Sequence, residues 1–210
     1  MIITSVEEQK KNKERKSVFV DNRYAFGMDE EDWFKLGLYV GMEIDENTIE
    51  KINETCNYSK AKKYAVKSLT FKMQSQQEMA KKLEQKGYDP EIIKKVVDHL
   101  VQMEYINDRL FAQKYIKQAM NLKKLGVQRI RQELSIKGIR RDVIDDALSQ
   151  FDNSQEDVLY EMVQKKMKTL KDFDVKSLNS LRGHFIRKGY LMNSINRCIE
   201  QIITESNNEK

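Results

Sequence analysis

Apolar residues return along this chain at the three- and four-residue intervals of an amphipathic helix, and one arrangement of them returns every 51 residues. The register is marked by three Lys-Gly pairs, with glycines at Gly87, Gly138 and Gly189. Four residues before each glycine stand Leu83, Leu134 and Phe185; eight before stand Met79, Ile130 and Leu181. Twelve before, where the periodicity predicts a helix start, stand Ser75, Gly126 and Ser177, and Ser75 heads a capping box with Glu78. The spacing predicts an amphipathic helix of about three turns that ends at the glycine.

A glycine just past a helix end supplies the positive φ at which a side chain is penalised. The residue after it is Tyr88, Ile139 or Tyr190, and a Schellman cap would fold that side chain back onto the Leu83, Leu134 or Phe185 position. The lysine before it lies at the negative end of the helix dipole, which explains it without any ligand. A second periodic segment follows, with Ile93, Ile144 and Ile195 six residues on, Val97, Leu148 and Ile199 ten on, and Leu100, Phe151 and Ile202 thirteen on. Upstream a further helix aligns Ala61, Ala112 and Val163, then Ala65, Ile116 and Met167. The predicted fold is mainly α: three tandem copies of a three-helix unit that share a core and form a curved, elongated array.

The beginning of the chain breaks this rhythm. KSVFVDNRYAFGM reads as two strands around an Asp21-Asn22 turn, and ITSVEEQ adds a third. Asp29 to Leu36 predicts a short helix carrying Trp33 and Phe34, and Asp45 is placed to cap another. The expected division is a β-containing element with short helices over 1–57, then repeats over 58–106, 107–152 and 153–210, the last with a frayed end.

With 34% charged residues, 40% hydrophobic residues and one proline, the composition fits a soluble helical protein. Cys56 and Cys198 lack metal or redox spacing, and MIITSVEEQKKNKERK has charges where a signal peptide needs an apolar core. No apolar run approaches a membrane span, so the expected location is the cytoplasm. His99 and His184 have no partners at metal spacing, and there is neither a phosphate-binding glycine loop nor a nucleophile elbow. The sequence predicts no catalytic machinery, no cofactor and no metal.

Charge adds what composition does not. The net charge is +5, but residues 107–141 hold ten Lys or Arg against two acidic residues, whereas 142–161 hold seven acidic residues and no basic one. The sign changes just after the Gly138 turn, which predicts faces of opposite sign. In the first and third copies, residues 62–86 hold seven basic residues against two acidic, and 164–188 hold eight against two. A repeated basic track fits evenly spaced phosphates or an acidic groove in a protein polymer. Tyr64 and Tyr115 hold equivalent places, which predicts core packing more than base stacking.

Several segments resemble the RecX family of regulators of bacterial recombination. YINDRLFAQKY (105–115), QELSIKGI (132–139) and SQQEMAKKLEQKG (75–87) follow that family's pattern, and QKKNKERKSVFVDNRYAFGM is similar to the β-containing start of its longer members. Asn107 stands where the family usually has aspartate, and Lys72 and Gln74 stand where it tends to have arginine. The resemblance implies a monomeric, non-enzymatic protein that binds the RecA–DNA filament and modulates, mostly inhibits, its ATPase and strand exchange. Single- or double-stranded DNA is an additional implied contact. Lys114, Lys117, Lys123, Lys124, Arg129, Arg131, Arg140 and Arg141 are the expected filament- or DNA-binding residues. Two other readings are a nucleic-acid-binding protein acting without RecA, and an interaction module docked through the acidic run 142–161.

Overall fold

The computed structural model describes residues 1–9, 12–151, 155–170 and 172–208. It divides into two compact units: 1–73 with 79–106, and 74–78 with 107–210. Both expected ingredients are present, a three-stranded antiparallel sheet and helices in groups of three.

In the first unit, β1 (Ile3–Gln9), β2 (Asn12–Val20) and β3 (Arg23–Asp29) pair in that order. Asp21 and Asn22 both take positive φ, 48° and 62°, as a two-residue hairpin turn requires. The alternation of β2 and β3 sends Val18, Val20, Phe26 and Met28 inward, where they pack with Ile3 of β1. Trp33 of α1 (Glu30–Lys35) closes this core.

Asp45 caps α2 (Glu46–Phe71), its carboxylate accepting from the Thr48 N–H at 2.7 Å. This 26-residue helix runs unbroken across the expected 57/58 division and serves two cores. Ile52 and Cys56 pack under the sheet, while Ala61 and Ala65 pack with α3 (Gln76–Glu84) and α4 (Pro90–Gln102). Pro90 at the first turn of α4 and the Asp89 cap make a strong start, and Ile93, Val96 and Leu100 face the core.

The second unit holds α5 (Asp108–Asn121), α6 (Val127–Ile136) and α7 (Arg141–Ser149), then α8 (Gln155–Met167), α9 (Val175–Arg187) and α10 (Met192–Asn208). Ala112, Ile116, Ile130, Leu134, Ile139 and Ile144 form one cluster. Leu159, Val163, Leu181, Phe185, Ile195 and Ile199 form the other. Asn107 caps α5 by accepting from the Leu110 N–H at 3.0 Å, so asparagine does there what aspartate would do.

All three Lys-Gly pairs end helices as expected. Gly87, Gly138 and Gly189 have φ of 80°, 79° and 92°. The N–H groups of Tyr88, Ile139 and Tyr190 reach back to the carbonyls of Leu83, Leu134 and Phe185 at 3.1–3.3 Å, the six-to-one bond of a Schellman cap.

Candidate functional site

The second unit explains why the Lys-Gly turns recur: two of them receive the start of another helix. The Ser75 hydroxyl donates to the Lys137 carbonyl at 2.6 Å and accepts from the Glu78 N–H at 3.1 Å. The Glu78 carboxylate accepts from the Ser75 N–H at 3.3 Å and pairs with the Lys137 ammonium at 2.6 Å. The α6 start uses backbone instead, Gly126 N–H donating to the Lys188 carbonyl at 2.8 Å and Gln128 N–H to the Gly189 carbonyl at 3.2 Å. A Cβ on Gly126 would overlap the Gly189 and Tyr190 backbone, which is why this column alternates between serine and glycine. The lysine therefore does more than complement a dipole: Lys137 joins Glu78 and also lies over the Phe111 and Tyr115 rings, at 5.7 and 5.6 Å.

The third copy departs from the pattern. Asp174 caps α9 and accepts from the Ser177 N–H at 2.8 Å, so the helix begins earlier and Ser177, expected to head it, lies in its first turn. Asp174 uses one of the first free N–H groups that α6 leaves available for the next turn.

The eight expected binding residues fall into two sets. The arginines are paired: Arg129 with Glu133 at 2.8 Å, Arg140 with Asp142 at 3.1 Å, and both Arg131 and Arg141 with Asp145, the latter at 3.8 Å. Arg109 also meets Asp146, at 3.6 Å. The expected separation of basic and acidic faces at the Gly138 turn is therefore corrected. Asp145 of α7 meets Arg131 of α6 and Asp146 meets Arg109 of α5, while Arg129, Arg140 and Arg141 find carboxylates on their own helix or beside it, because opposite charges this close attract. Asp145 and Asp146 pair in this way while staying about half exposed.

The four lysines differ. Lys114 and Lys117 lie one turn apart on α5, so they share a side of it, and Lys123 and Lys124 follow its end. Among the described residues none of the four makes an ion pair; Lys123 lies 5.6 Å from the Tyr115 ring centre. The cationic surface of this copy is thus the lysine side of α5 and the loop after it. In the first unit a hollow of about 510 Å³ is lined by Lys35, Lys62, Lys63 and Lys67, beside Glu31. Lys35 and Lys63 pair with Glu31 there, and the α2 pattern alone did not place the four together.

Tyr115 is half core and half anchor. Its ring stacks at 6.2 Å on Phe111, and its hydroxyl donates to the Glu133 carboxylate. Burial acts to raise the Glu133 pKa, but the Tyr115 hydroxyl and the Arg129 guanidinium outweigh it and hold the carboxyl below its ordinary value of 4.5. A depressed carboxyl stabilises the fold fully above that value and loses its contribution as pH falls through the folded pKa. Glu133→Gln is expected to lower the melting temperature at pH 7, with a difference from wild type that shrinks below about pH 4.5. Melting curves at several pH values check this; a constant difference would refute the role of the charge.

His184 is held below its usual pKa, first by burial and then by Lys166, Lys188 and Arg187, and it packs on Phe185. His99 packs edge-on against Tyr58 at 6.4 Å. The described residues contain no group of three or more His, Cys, Asp or Glu side chains placed to hold a metal, and no helix long and apolar enough to cross a membrane. Cys56 and Cys198 are buried, and burial pushes the Cys56 thiol up to about 11.

Three family models match in order: the regulatory protein RecX N-terminal domain over 1–45, the RecX first three-helix domain over 61–100, and the RecX second three-helix domain over 107–148. Regulatory protein RecX of Clostridium tetani is 32% identical over 205 residues, covering 96% of this chain and 94% of the relative. The protein of that name from Clostridioides difficile is also 32% identical, covering 96% of each. A crystal structure of regulatory protein RecX superposes with a TM-score of 0.73 at 25% identity, over 95% of this chain and 98% of the other. A crystal structure of RecX from Lactobacillus salivarius shares the fold over 70% of this chain and 97% of its own, with a TM-score of 0.63 at 23% identity. Sheet, helical triplets and sequence agree along nearly the whole length: the chain belongs to the RecX family of regulatory proteins.

Proposed function

We propose that this protein binds the RecA–DNA filament as a monomer in the cytoplasm and modulates, mainly inhibits, RecA's ATPase and strand exchange. The observation that carries the reading is membership of the RecX family over nearly the full length of relatives named as regulatory proteins. The architecture supports it: a chain of repeated units touching successive subunits of a polymer gains by multivalency, so contacts that are weak singly become tight together. The charge without a carboxylate partner among the described residues is the set Lys114, Lys117, Lys123 and Lys124; Arg129, Arg131, Arg140 and Arg141 each share theirs with a carboxylate and are expected to contribute less.

The decisive titration adds the protein to RecA-coated single-stranded DNA and, separately, to bare DNA, following ATP hydrolysis and DNA anisotropy. Replacing the four lysines by glutamate is expected to weaken inhibition at least about tenfold, on the scale of several lost charge contacts, while the melting temperature stays unchanged. Full inhibition by that variant would sink the lysine assignment. No effect of wild type on filament ATPase or stability would sink the reading itself. A direct nucleic-acid role is the second reading, favoured by the same unpaired lysines, and its mark is bare-DNA affinity that falls steeply with salt.

A further inference from the structure

One column of the repeat behaves unlike the others. Sixteen residues before each glycine stand Phe71, Leu122 and Phe173, where the first helix of each copy gives way to the second. A large apolar residue in all three copies would normally mark a core column, as at Leu83, Leu134 and Phe185, which are 0%, 0% and 1% exposed. Phe71, Leu122 and Phe173 are instead 79%, 76% and 55% exposed. Single exposed apolar residues are ordinary, but the same register exposed three times is a repeated feature of the surface. None of the other large exposed apolar residues, such as Tyr105, Leu110, Ile136 or Ile186, has exposed apolar counterparts in both other copies.

A second column accompanies it. Eight residues earlier, on the first helix of each copy, stand Lys63, Lys114 and Lys165. Eight helical residues rise about 12 Å, so in the first two copies the lysine lies about two turns before the knob, on α2 and on α5, whereas in the third Phe173 lies beyond the end of α8, next to the Asp174 cap of α9. Lys114 and Lys165 make no ion pair among the described residues; Lys63 is shared with Asp29 and Glu31.

We propose that Phe71, Leu122 and Phe173 are equivalent docking knobs, each entering an apolar hollow edged with carboxylates on a protein partner that presents that hollow repeatedly. This deepens the filament reading and rests on it: the knobs would seat on successive RecA subunits, not on the DNA. The choice of protein over nucleic acid follows from Leu122, since an unpaired base stacks on an aromatic face and leucine has none. An apolar hollow accepts leucine and phenylalanine alike. The lysines add attraction to the carboxylate rim and speed encounter.

The test compares wild type, the triple variant Phe71→Ser/Leu122→Ser/Phe173→Ser, and the conservative double variant Phe71→Leu/Phe173→Leu. Co-sedimentation with RecA-coated single-stranded DNA and anisotropy on bare single-stranded DNA are read for each, beside melting curves. The triple variant is expected to keep the wild-type melting temperature and bare-DNA affinity but to bind the filament at least about tenfold more weakly. The double variant, which keeps apolar side chains, is expected to bind the filament within about twofold of wild type. If wild type binds the filament and the triple variant binds equally well, the knobs are refuted and the filament reading stands. A parallel loss of bare-DNA binding, or of filament binding by the leucine variant, identifies base stacking and overturns the protein assignment. Wild type failing to bind the filament at all removes both.

Discussion

Gly189→Val is expected to destabilise the second unit by about 2–5 kcal/mol, the sum of a left-handed backbone forced on a branched residue and a side chain driven into occupied space. Gly189 has φ 92°, and its Cβ would overlap the backbone and Cβ of Arg129, which cannot swing aside as the end of a side chain can. The shift would also break the bonds from Gly126 and Gln128 to the Lys188 and Gly189 carbonyls. Gly138→Val meets Gln77, a flexible side chain with its Cβ in the way, and should cost somewhat less. Gly87→Val has the same φ penalty, 80°, but nothing among the described residues lies within 4 Å of its Cβ, so only about 1–2 kcal/mol is expected. Urea unfolding of the three variants gives the order 189, 138, 87. Equal losses would show that φ alone matters and that the helix-on-turn contacts contribute nothing.

Two phenylalanines separate the interior of a repeat from its surface. Phe185→Ala is expected to cost about 3–5 kcal/mol, because the ring is 1% exposed and packs edge-on with Tyr190 at 6.3 Å, leaving a cavity the neighbours fill only in part. Tyr190 cannot follow it inward freely, since its hydroxyl donates to the Lys124 carbonyl at 3.3 Å. Phe71→Ala, at 79% exposure, is expected to change stability by less than about 0.5 kcal/mol. Denaturant midpoints for the pair decide the matter. A large loss at Phe71 would mean that its ring is covered in the folded protein, and the docking knobs would lose their basis.

Much of the fold was legible because helix periodicity and a fixed 51-residue repeat reinforce each other. A column such as Met79, Ile130 and Leu181 is read three times over, and all three residues are buried. The Asp21-Asn22 hairpin and the Asp45 cap were legible for a different reason, since each depends only on neighbours a few residues away. The start of α9 was not. Ser177 and Asp174 are both good caps, and the repeat pointed to the wrong one.

The site was less legible than the fold. Charge runs show where cations lie in sequence but not whether a carboxylate on another helix will take them. Arg131 and Asp145 are fourteen residues apart, and Lys137 and Glu78 are fifty-nine apart. Only the folded chain separates the paired arginines from the open lysines. The Phe71, Leu122 and Phe173 column was visible in the repeat spacing, yet an apolar residue at a helix end reads as core until its exposure is known.

The seating of one helix start on the next Lys-Gly turn also bears on how such a chain could lengthen. Both contacts fall at one register, Gly126 and Gln128 answering Lys188 and Gly189 through main-chain groups, Ser75 and Glu78 answering Lys137 through a hydroxyl and a carboxylate. Duplicating a whole 51-residue segment within a gene would reproduce a start that fits the turn ahead and a turn that fits the start behind. Growth by whole units therefore needs no newly invented interface, whereas an insertion of any other length disrupts one.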